Sequence, residues 1–180
     1  MISIGDAVVY RHYVCELDGV RKSYREGKDY YDFRALFEKS MHLLIPIDDA
    51  KPPLVRSVMT KREALALIDS IVEAETIDES AIEKESNSTA VLERRIEEEY
   101  KRYLHTLSPE DIKPVIKSAY LRTSRRENSG KKAATIDKKY LELAEKLLCD
   151  ELSVSLNMER DKVDEFLVSR IKRSNIREKE

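Results

Sequence analysis

The amino-acid sequence predicts an α+β protein, in which a bent sheet of five short strands, or a partial barrel, precedes an all-α bundle of about four helices. Two observations carry this prediction. Short β-branched and aromatic runs, separated by Gly, Pro and polar turns, fill the first 60 residues. Beyond residue 60, apolar residues recur every three or four positions, which is typical of amphipathic helices.

The first 60 residues contain five runs that favour strands, joined by tight turns. Gly5 and Asp6 favour a turn before the first run, because Gly tolerates positive φ and Asp can bond its own backbone. The Gly27 turn at 25–28 is of the kind that closes a hairpin. Pro46 has no N–H and must therefore lie at a strand end or on an edge. The five runs are 8–10, 14–20, 29–37, 41–46 and 54–59.

A helix that closes the N-terminal domain is predicted from residue 60. Thr60 is a favourable N-cap, and Glu63 completes a capping box. Residues 73–87 then hold six acidic residues and one lysine, with few apolar residues, which indicates a linker. The predicted division is therefore a sheet domain over 1–72, an acidic linker over 73–87 and a helical domain over 88–180.

Four helices are predicted in the helical domain. Ser88 or Thr89 caps the first, and Thr135 opens a long helix that breaks at Asn157. Pro114 requires the second helix to begin its regular part near residue 111, or to have a distorted first turn.

Composition and charge indicate that the two halves meet different partners. The chain is 41% hydrophobic, which suffices for a core, and 38% charged, which suits long solvated helices. Residues 1–87 hold 12 basic and 17 acidic residues, a net charge of -5, whereas residues 88–180 hold 21 and 18, a net of +3.

Several functional classes find no support in the sequence. Cys15 and Cys149 give neither a disulfide framework nor metal-ligand spacing, and the three histidines are isolated. The four glycines form no phosphate-binding loop, and no carboxylates stand in a recognisable catalytic frame. We therefore expect neither an enzyme nor a metal or cofactor site. Without a signal peptide or a run of about 20 apolar residues, we expect a cytoplasmic protein that does not contact membranes.

Two basic regions have alternative interpretations. Residues 113–139 hold nine basic residues against Glu127 and Asp137, which fits either a phosphate-contacting face or a solvated helix surface. Arg94 and Arg95 precede three glutamates, which fits either DNA contact or ion pairing along a helix.

The aromatic residues of the third strand also allow two interpretations. They could form a platform on which bases stack, or they could be core residues and cross-strand pairs, which we favour. These residues are Tyr30, Tyr31, Phe33 and Phe37.

An ordered set of motifs resembles the CarD/CdnL family of bacterial transcription regulators. The N-terminal domain of that family is similar to the RNA-polymerase-interaction domain of transcription-repair coupling factors. The sheet half matches the family pattern at Gly5, Asp6, Val8, Val9, Tyr10, Gly27, Tyr30, Tyr31, the strand Met41 to Pro46, Val55 and Arg56. The helical half matches at Arg94, Arg95 and the Leu-Cys-Asp-Glu-Leu run at 148–152.

The resemblance implies a Tudor-like sheet that docks on the RNA polymerase β subunit by edge-strand pairing. It also implies a monomeric, nucleoid-associated protein whose helical domain contacts promoter DNA largely independently of sequence and modulates open-complex stability. The implied polymerase-binding residues are Lys22, Arg25, His42, Leu43, Leu44 and Ile45. The expected DNA-binding residues are Arg94, Arg95, Lys117, Arg122, Arg125, Arg126, Lys138 and Lys139.

A second hypothesis stays open beside the first. Many family members carry a tryptophan at the start of the helical domain that wedges into the minor groove, and this chain has none. The net charge of the helical half is also modest. The chain could therefore be a polymerase-bound adaptor whose helical domain binds a protein instead of DNA. A third, weaker hypothesis is an RNA-binding module that uses the aromatic sheet.

Overall fold

The computed structural model describes residues 2–11 and 13–177, with side chains as far as residue 170, and it confirms the α+β class. Its strands are β1 Ala7–Tyr10, β2 Tyr13–Arg25, β3 Lys28–Ala35, β4 His42–Pro46 and β5 Val55–Ser57. Its helices are α1 Lys61–Asp69, α2 Glu79–Lys84, α3 Thr89–His105, α4 Ile112–Asn128, α5 Thr135–Ser155 and α6 Arg160–Arg177. None of these described helices is both long and apolar enough to cross a membrane.

Contacts between residues divide the chain into two compact units, and each unit contains two separate segments. The sheet unit consists of residues 1–64 and 149–163, and the helical unit consists of 65–148 and 164–180. This division differs from the predicted one, which ended the first domain at residue 72. The apolar pattern of α5 predicts that one face of the helix is buried, but it does not reveal which residues cover that face.

The five strands form one open antiparallel sheet in the order β4-β3-β2-β1-β5. Tyr31 and Phe33 lie in its core with ring centroids 5.6 Å apart, which confirms the core interpretation for these two aromatics. Burial also raises the pKa of the Cys15 thiol to about 11, so this core thiol stays protonated at neutral pH. The buried cluster comprises Val8, Cys15, Leu17, Tyr31, Phe33, Ala35, Ile45 and Val55.

Local sequence signals set the turn and the helix start in the sheet unit. Glu26 and Gly27 both have positive φ, 53° and 69°, as a two-residue hairpin turn between right-twisted strands requires. At the start of α1, Thr60 donates its N–H to Glu63 Oε2 at 2.7 Å, and Glu63 N–H donates to Thr60 Oγ1 at 3.3 Å. The predicted capping box is thereby confirmed. The main-chain hydrogen bond from Thr60 holds the pKa of the Glu63 carboxyl below its usual value.

The acidic segment 73–87, predicted as a linker, packs within the helical unit. Ile77 is buried, and its N–H donates to Ser118 Oγ at 2.8 Å. The segment also forms α2, whose Glu79 pairs with Arg122 of α4. The high acidic content suggested a solvated chain, but Glu79 neutralises a cation that lies 43 residues away.

The four long helices predicted for the C-terminal half are α3 to α6. Ser88 caps α3 by accepting the Val91 N–H at 3.4 Å. Pro114 falls in the first turn of α4, where the missing N–H needs no helical partner, and α4 begins at Ile112 after a short 3-10 turn. Asn157 lies between α5 and α6 at the predicted break and has a φ of 50°.

Candidate docking edge and basic surfaces

The outer edge of β4 presents main-chain groups with no strand partner among the described residues. β4 is an edge strand that pairs only with β3. Ala35 of β3 donates its N–H to the Met41 carbonyl at 3.0 Å, so every second residue from Met41 directs its main chain toward β3. His42 and Leu44 therefore direct their N–H and C=O groups outward. Pro46 ends the strand in the same outward register, which confirms its predicted place at a strand end on an edge.

The side chains of β4 fall on two faces of the sheet. Ile45 belongs to the buried core, and Leu43 packs against it. These two predicted polymerase-binding residues therefore fix the strand in place. His42 and Leu44, at the alternating positions, lie on the opposite face, where His42 is exposed.

A charged ladder crosses three strands on that opposite face. Arg21 Nη2 of β2 lies 2.7 Å from Asp32 Oδ2 of β3, and His42 Nδ1 of β4 lies 2.8 Å from Asp32 Oδ1. Burial alone would raise the pKa of Asp32, but the hydrogen bonds from His42 and Arg21 outweigh it and hold this pKa below its usual value. Asp32 thus stays ionised and ties the edge strand to the sheet.

The other two predicted polymerase-binding residues, Lys22 and Arg25, lie at the tip of the β2–β3 hairpin. Both are exposed. Neither has an ion-pair partner among the described residues. The hairpin tip and the β4 edge are therefore separate candidate surfaces on the sheet unit.

Arg122, a predicted DNA-binding residue, is buried in the helical unit. Its residue exposure is 6%, and all three of its guanidinium nitrogens have carboxylate partners. Nε donates to Asp137 at 2.9 and 3.0 Å, Nη2 donates to Glu93 at 3.0 Å, and Nη1 donates to Glu79. Burial would lower the pKa of Arg122, but these carboxylates outweigh it and raise the pKa. Arg122 therefore lies at the centre of an internal ion-pair network, and its expected contact with DNA stays a prediction.

The carboxylate network around Arg122 extends to Tyr100, which is fully buried. Its hydroxyl donates to Asp137 Oδ1 at 2.7 Å, and its ring lies 5.4 Å from that of Tyr140. Burial, followed by the hydrogen bond to Asp137, raises the pKa of Tyr100 well above its usual value. The sequence did not predict this network, because its acidic residues stand in charge-rich segments that are typical of a solvated surface.

Lys117 also serves the interior of the helical unit. Its Nζ donates to the main-chain carbonyls of Val72 and Ala74 and thereby holds the segment after α1 against α4. The other six cations predicted to bind DNA are less buried, and each has a polar partner. The pairs are Arg94 with Glu98, Arg95 with Glu85, Arg125 with Glu79, Arg126 with the Lys132 carbonyl, Lys138 with Glu142 and Lys139 with Glu97.

The Leu-Cys-Asp-Glu-Leu run at 148–152 lies at the end of α5, and all five residues are buried. Glu151 receives both terminal nitrogens of Arg56, at 2.6 and 2.7 Å, and the Met59 N–H at 2.9 Å. Asp150 pairs with Arg160 at 2.8 Å. Two motifs that carried the family resemblance, Val55-Arg56 and this run, therefore meet in one partly buried ion pair of the sheet unit.

Comparison of the sequence with protein-family models and with curated proteins finds no match. The family resemblance therefore stays a prediction that rests on the motifs themselves. Within the described residues, no group of three or more His, Cys, Asp and Glu side chains is arranged to hold a metal ion.

Proposed function

We propose that this chain is a transcription regulator. It docks on the RNA polymerase β subunit through the outer edge of β4, contacts promoter DNA through exposed cations of its helical unit, and modulates open-complex stability. The observation that carries the proposal is the β4 edge, where His42 and Leu44 direct main-chain groups outward. An extended strand of a partner can add to such an edge, so that main-chain hydrogen bonds give affinity and neighbouring side chains give specificity.

Burial and pairing divide the cations that could contact DNA into two groups. Arg122 and Lys117 hold internal groups and are assigned no contact. Arg94 and Lys138 each expose 73% of their side chain, and within the described part of the chain they form only i,i+4 surface pairs. Such pairs contribute about 0–1 kcal/mol, so exchange of a carboxylate for a phosphate costs little. Lys139, whose side chain is 60% exposed, is placed in the same group, although its partner Glu97 lies on another helix.

The docking edge is tested with Leu44→Pro in the full chain and a fragment of the polymerase β subunit. Proline removes the outward N–H of Leu44 without removing a bond to β3, and its ring obstructs an added strand. We expect at least about a tenfold loss of affinity in calorimetry. Ser57→Pro is the matched control, because it places a proline at an outward position of the opposite edge strand, β5. Equal affinities of both variants and the parent chain would reject the docking edge.

Promoter contact is tested by measuring DNA affinity against salt concentration. The triple variant Arg94→Ala, Lys138→Ala and Lys139→Ala should weaken binding and reduce the slope of log K against log salt by about 3. Lys162→Ala is the control, since Lys162 is likewise an exposed helix lysine paired with a nearby glutamate. An unchanged slope would remove these residues from the proposal.

The adaptor hypothesis has one specific observation in its favour. Tyr120 and Leu121 are adjacent on α4 and are 60% and 40% exposed. Leu121 also lines a cavity of about 650 Å³ with Ile77 and Arg125. Exposed aromatic and aliphatic side chains beside a concave surface suit a protein partner. Polymerase binding with no salt-dependent DNA affinity would favour the adaptor over the DNA-contacting regulator.

A further inference from the structure

The tip of the β2–β3 hairpin combines an exposed tyrosine with cations that have no ion-pair partner among the described residues. We propose that this tip binds an unpaired stretch of nucleic acid, in which Tyr24 stacks on a base and neighbouring cations contact the phosphates. This site goes beyond the proposed docking edge and does not depend on it. It also reassigns Lys22 and Arg25 from polymerase contact to phosphate contact.

An irregularity in β2 builds the site. Arg21 pairs with Tyr30, and Arg25 pairs with Lys28, so three residues of β2 lie opposite Asp29 alone. The middle one, Ser23, has a φ of 48°, a conformation that L residues other than Asn and Asp rarely adopt, and its N–H donates to Asp29 Oδ1 at 2.9 Å. β-Bulges of this kind often redirect a side chain next to a functional site.

The bulge changes the direction of Tyr24. In a regular strand, Arg21 and Tyr24 would point to opposite faces, because side chains alternate. Here the guanidinium carbon of Arg21 lies 5.7 Å from the centroid of the Tyr24 ring, and the Tyr30 ring lies 5.5 Å away at 70°. Tyr24 nevertheless stays 52% exposed. The ring is thus supported by two neighbours and is still open to a further planar group.

The support itself is anchored to the sheet. Arg21 donates through both Nε and Nη2 to Asp32, at 2.9 and 2.7 Å. A fixed cation beside the ring orients it and adds a favourable interaction with its π face. The aromatic surface is therefore preorganised, which reduces the entropy lost when a base stacks on it.

The charge around the ring is positive and available. Lys22, Arg25 and Lys28 are exposed, and none has an ion-pair partner among the described residues. The tip also holds two acids, Glu26 and Asp29, and Asp29 accepts the Ser23 N–H, so the cations outnumber the acids by one. Three cations within seven residues can follow a sugar–phosphate chain.

The combination favours single-stranded over double-stranded nucleic acid. Stacking on an aromatic side chain requires a base with a free face, which a duplex offers only at its ends. The base can come from DNA or RNA, since both present the same π face and phosphate chain. The chemistry recognised is therefore an unpaired oligonucleotide with little sequence preference.

Fluorescence anisotropy with labelled dT and rU oligonucleotides of about 12 nucleotides tests the site in the full chain. Tyr24→Ala should weaken binding about tenfold through the lost stacking, whereas Tyr24→Phe should bind like the parent chain. Tyr103→Ala is the matched control, because Tyr103 is a partly exposed tyrosine of the helical unit and its ring likewise lies beside an arginine, with the Arg102 guanidinium carbon 4.5 Å from the ring centroid. A blunt duplex of the same length should compete poorly with the parent chain.

The phosphate contacts give a second, independent readout. Replacing Lys22, Arg25 and Lys28 with Ala should reduce the slope of log K against log salt by about 2, at about 0.7 for each lost contact to a single strand. Undetectable oligonucleotide binding would overturn the proposal. Equal binding by Tyr24→Ala and Tyr24→Phe, or an unchanged salt slope, would also overturn it.

The proposal for the hairpin tip and the proposal for the β4 docking edge can be tested independently. Tyr24→Ala should leave affinity for the polymerase β-subunit fragment unchanged, and Leu44→Pro should leave oligonucleotide affinity unchanged. If Tyr24→Ala weakens the protein complex and not the oligonucleotide complex, the tip is a protein contact and the inference is wrong.

Discussion

The hairpin tip and the helical unit use positive charge in opposite ways. At the tip, Lys22, Arg25 and Lys28 have no ion-pair partner among the described residues. In the helical unit, all eight cations expected to contact DNA have polar partners, and Arg122 has three carboxylates. The comparison shows that a count of basic residues does not locate a binding face. A binding face is located by whether each cation already has an ion-pair partner and by how deeply that cation is buried.

The largest expected effect comes from Arg122→Ala. Removing Arg122 leaves the buried carboxylate of Asp137 without a counter-charge, beside the buried hydroxyl of Tyr100. We expect this change to lower the unfolding free energy by about 4 kcal/mol, as measured by urea titration. Arg125→Ala is the control, because Arg125 pairs with the same Glu79 and is exposed, and should cost below about 1 kcal/mol. Equal losses would break the distinction between internal and surface cations.

Glu151→Gln tests Arg56, the cation of the sheet unit that binds a carboxylate through two hydrogen bonds. The change keeps the shape of the side chain but leaves Arg56 without its counter-charge, at an expected cost of about 3 kcal/mol in the same titration. Glu159→Gln serves as the control, since Glu159 and Lys162 form an exposed pair. A loss no greater than that of the control would place Arg56 with the weakly paired surface cations.

Asp32→Asn tests the charged ladder that ties β4 to the sheet. We expect its effect on stability to depend on pH. At pH 7 the variant should lose about 2 kcal/mol, because two charge-assisted hydrogen bonds are weakened. The pKa of Asp32 is lowered from 3.8, so its stabilisation is complete above that pH and is lost as pH falls through the folded-state value. The deficit should shrink below pH 3.8 in thermal unfolding, whereas the exposed Asp48→Asn should show little deficit at any pH.

The smallest expected effect is a gain in stability. Partial burial, followed by the nearby Asp164 and Glu142, raises the pKa of Glu145 above 4.5, so its ionised form slightly destabilises the helical unit. Glu145→Gln should add about 0.3 kcal/mol at pH 7, because the side chain of Glu145 still reaches solvent, which screens much of the unfavourable interaction. The gain should appear as pH rises through 4.5 and vanish below it. A gain that persists at pH 3 would show that the cause is not this charge.

Features set by neighbouring residues were predictable from the sequence. The Thr60–Glu63 capping box, the Gly27 turn and the terminal position of Pro46 all depend on a few adjacent positions. The outward register of His42 and Leu44 followed once the pairing partner of β4 was known.

Features set by distant residues were not predictable. The carboxylates around Arg122 are 15, 29 and 43 residues away along the chain, so nothing near Arg122 indicated its burial. The bulge at Ser23 lacked the Gly or Asn that usually marks positive φ, and the exposed Tyr24 was therefore missed.

The Arg56–Glu151 ion pair also has a consequence for the timing of folding during synthesis. The two residues are 95 positions apart. At 5–20 residues per second, a ribosome adds Glu151 about 5 to 20 s after Arg56. During that interval, Arg56 and the Met59 N–H have no carboxylate to bind. The strand β5, which carries Arg56, therefore completes its packing only after α1 to α4 and most of α5 have been made.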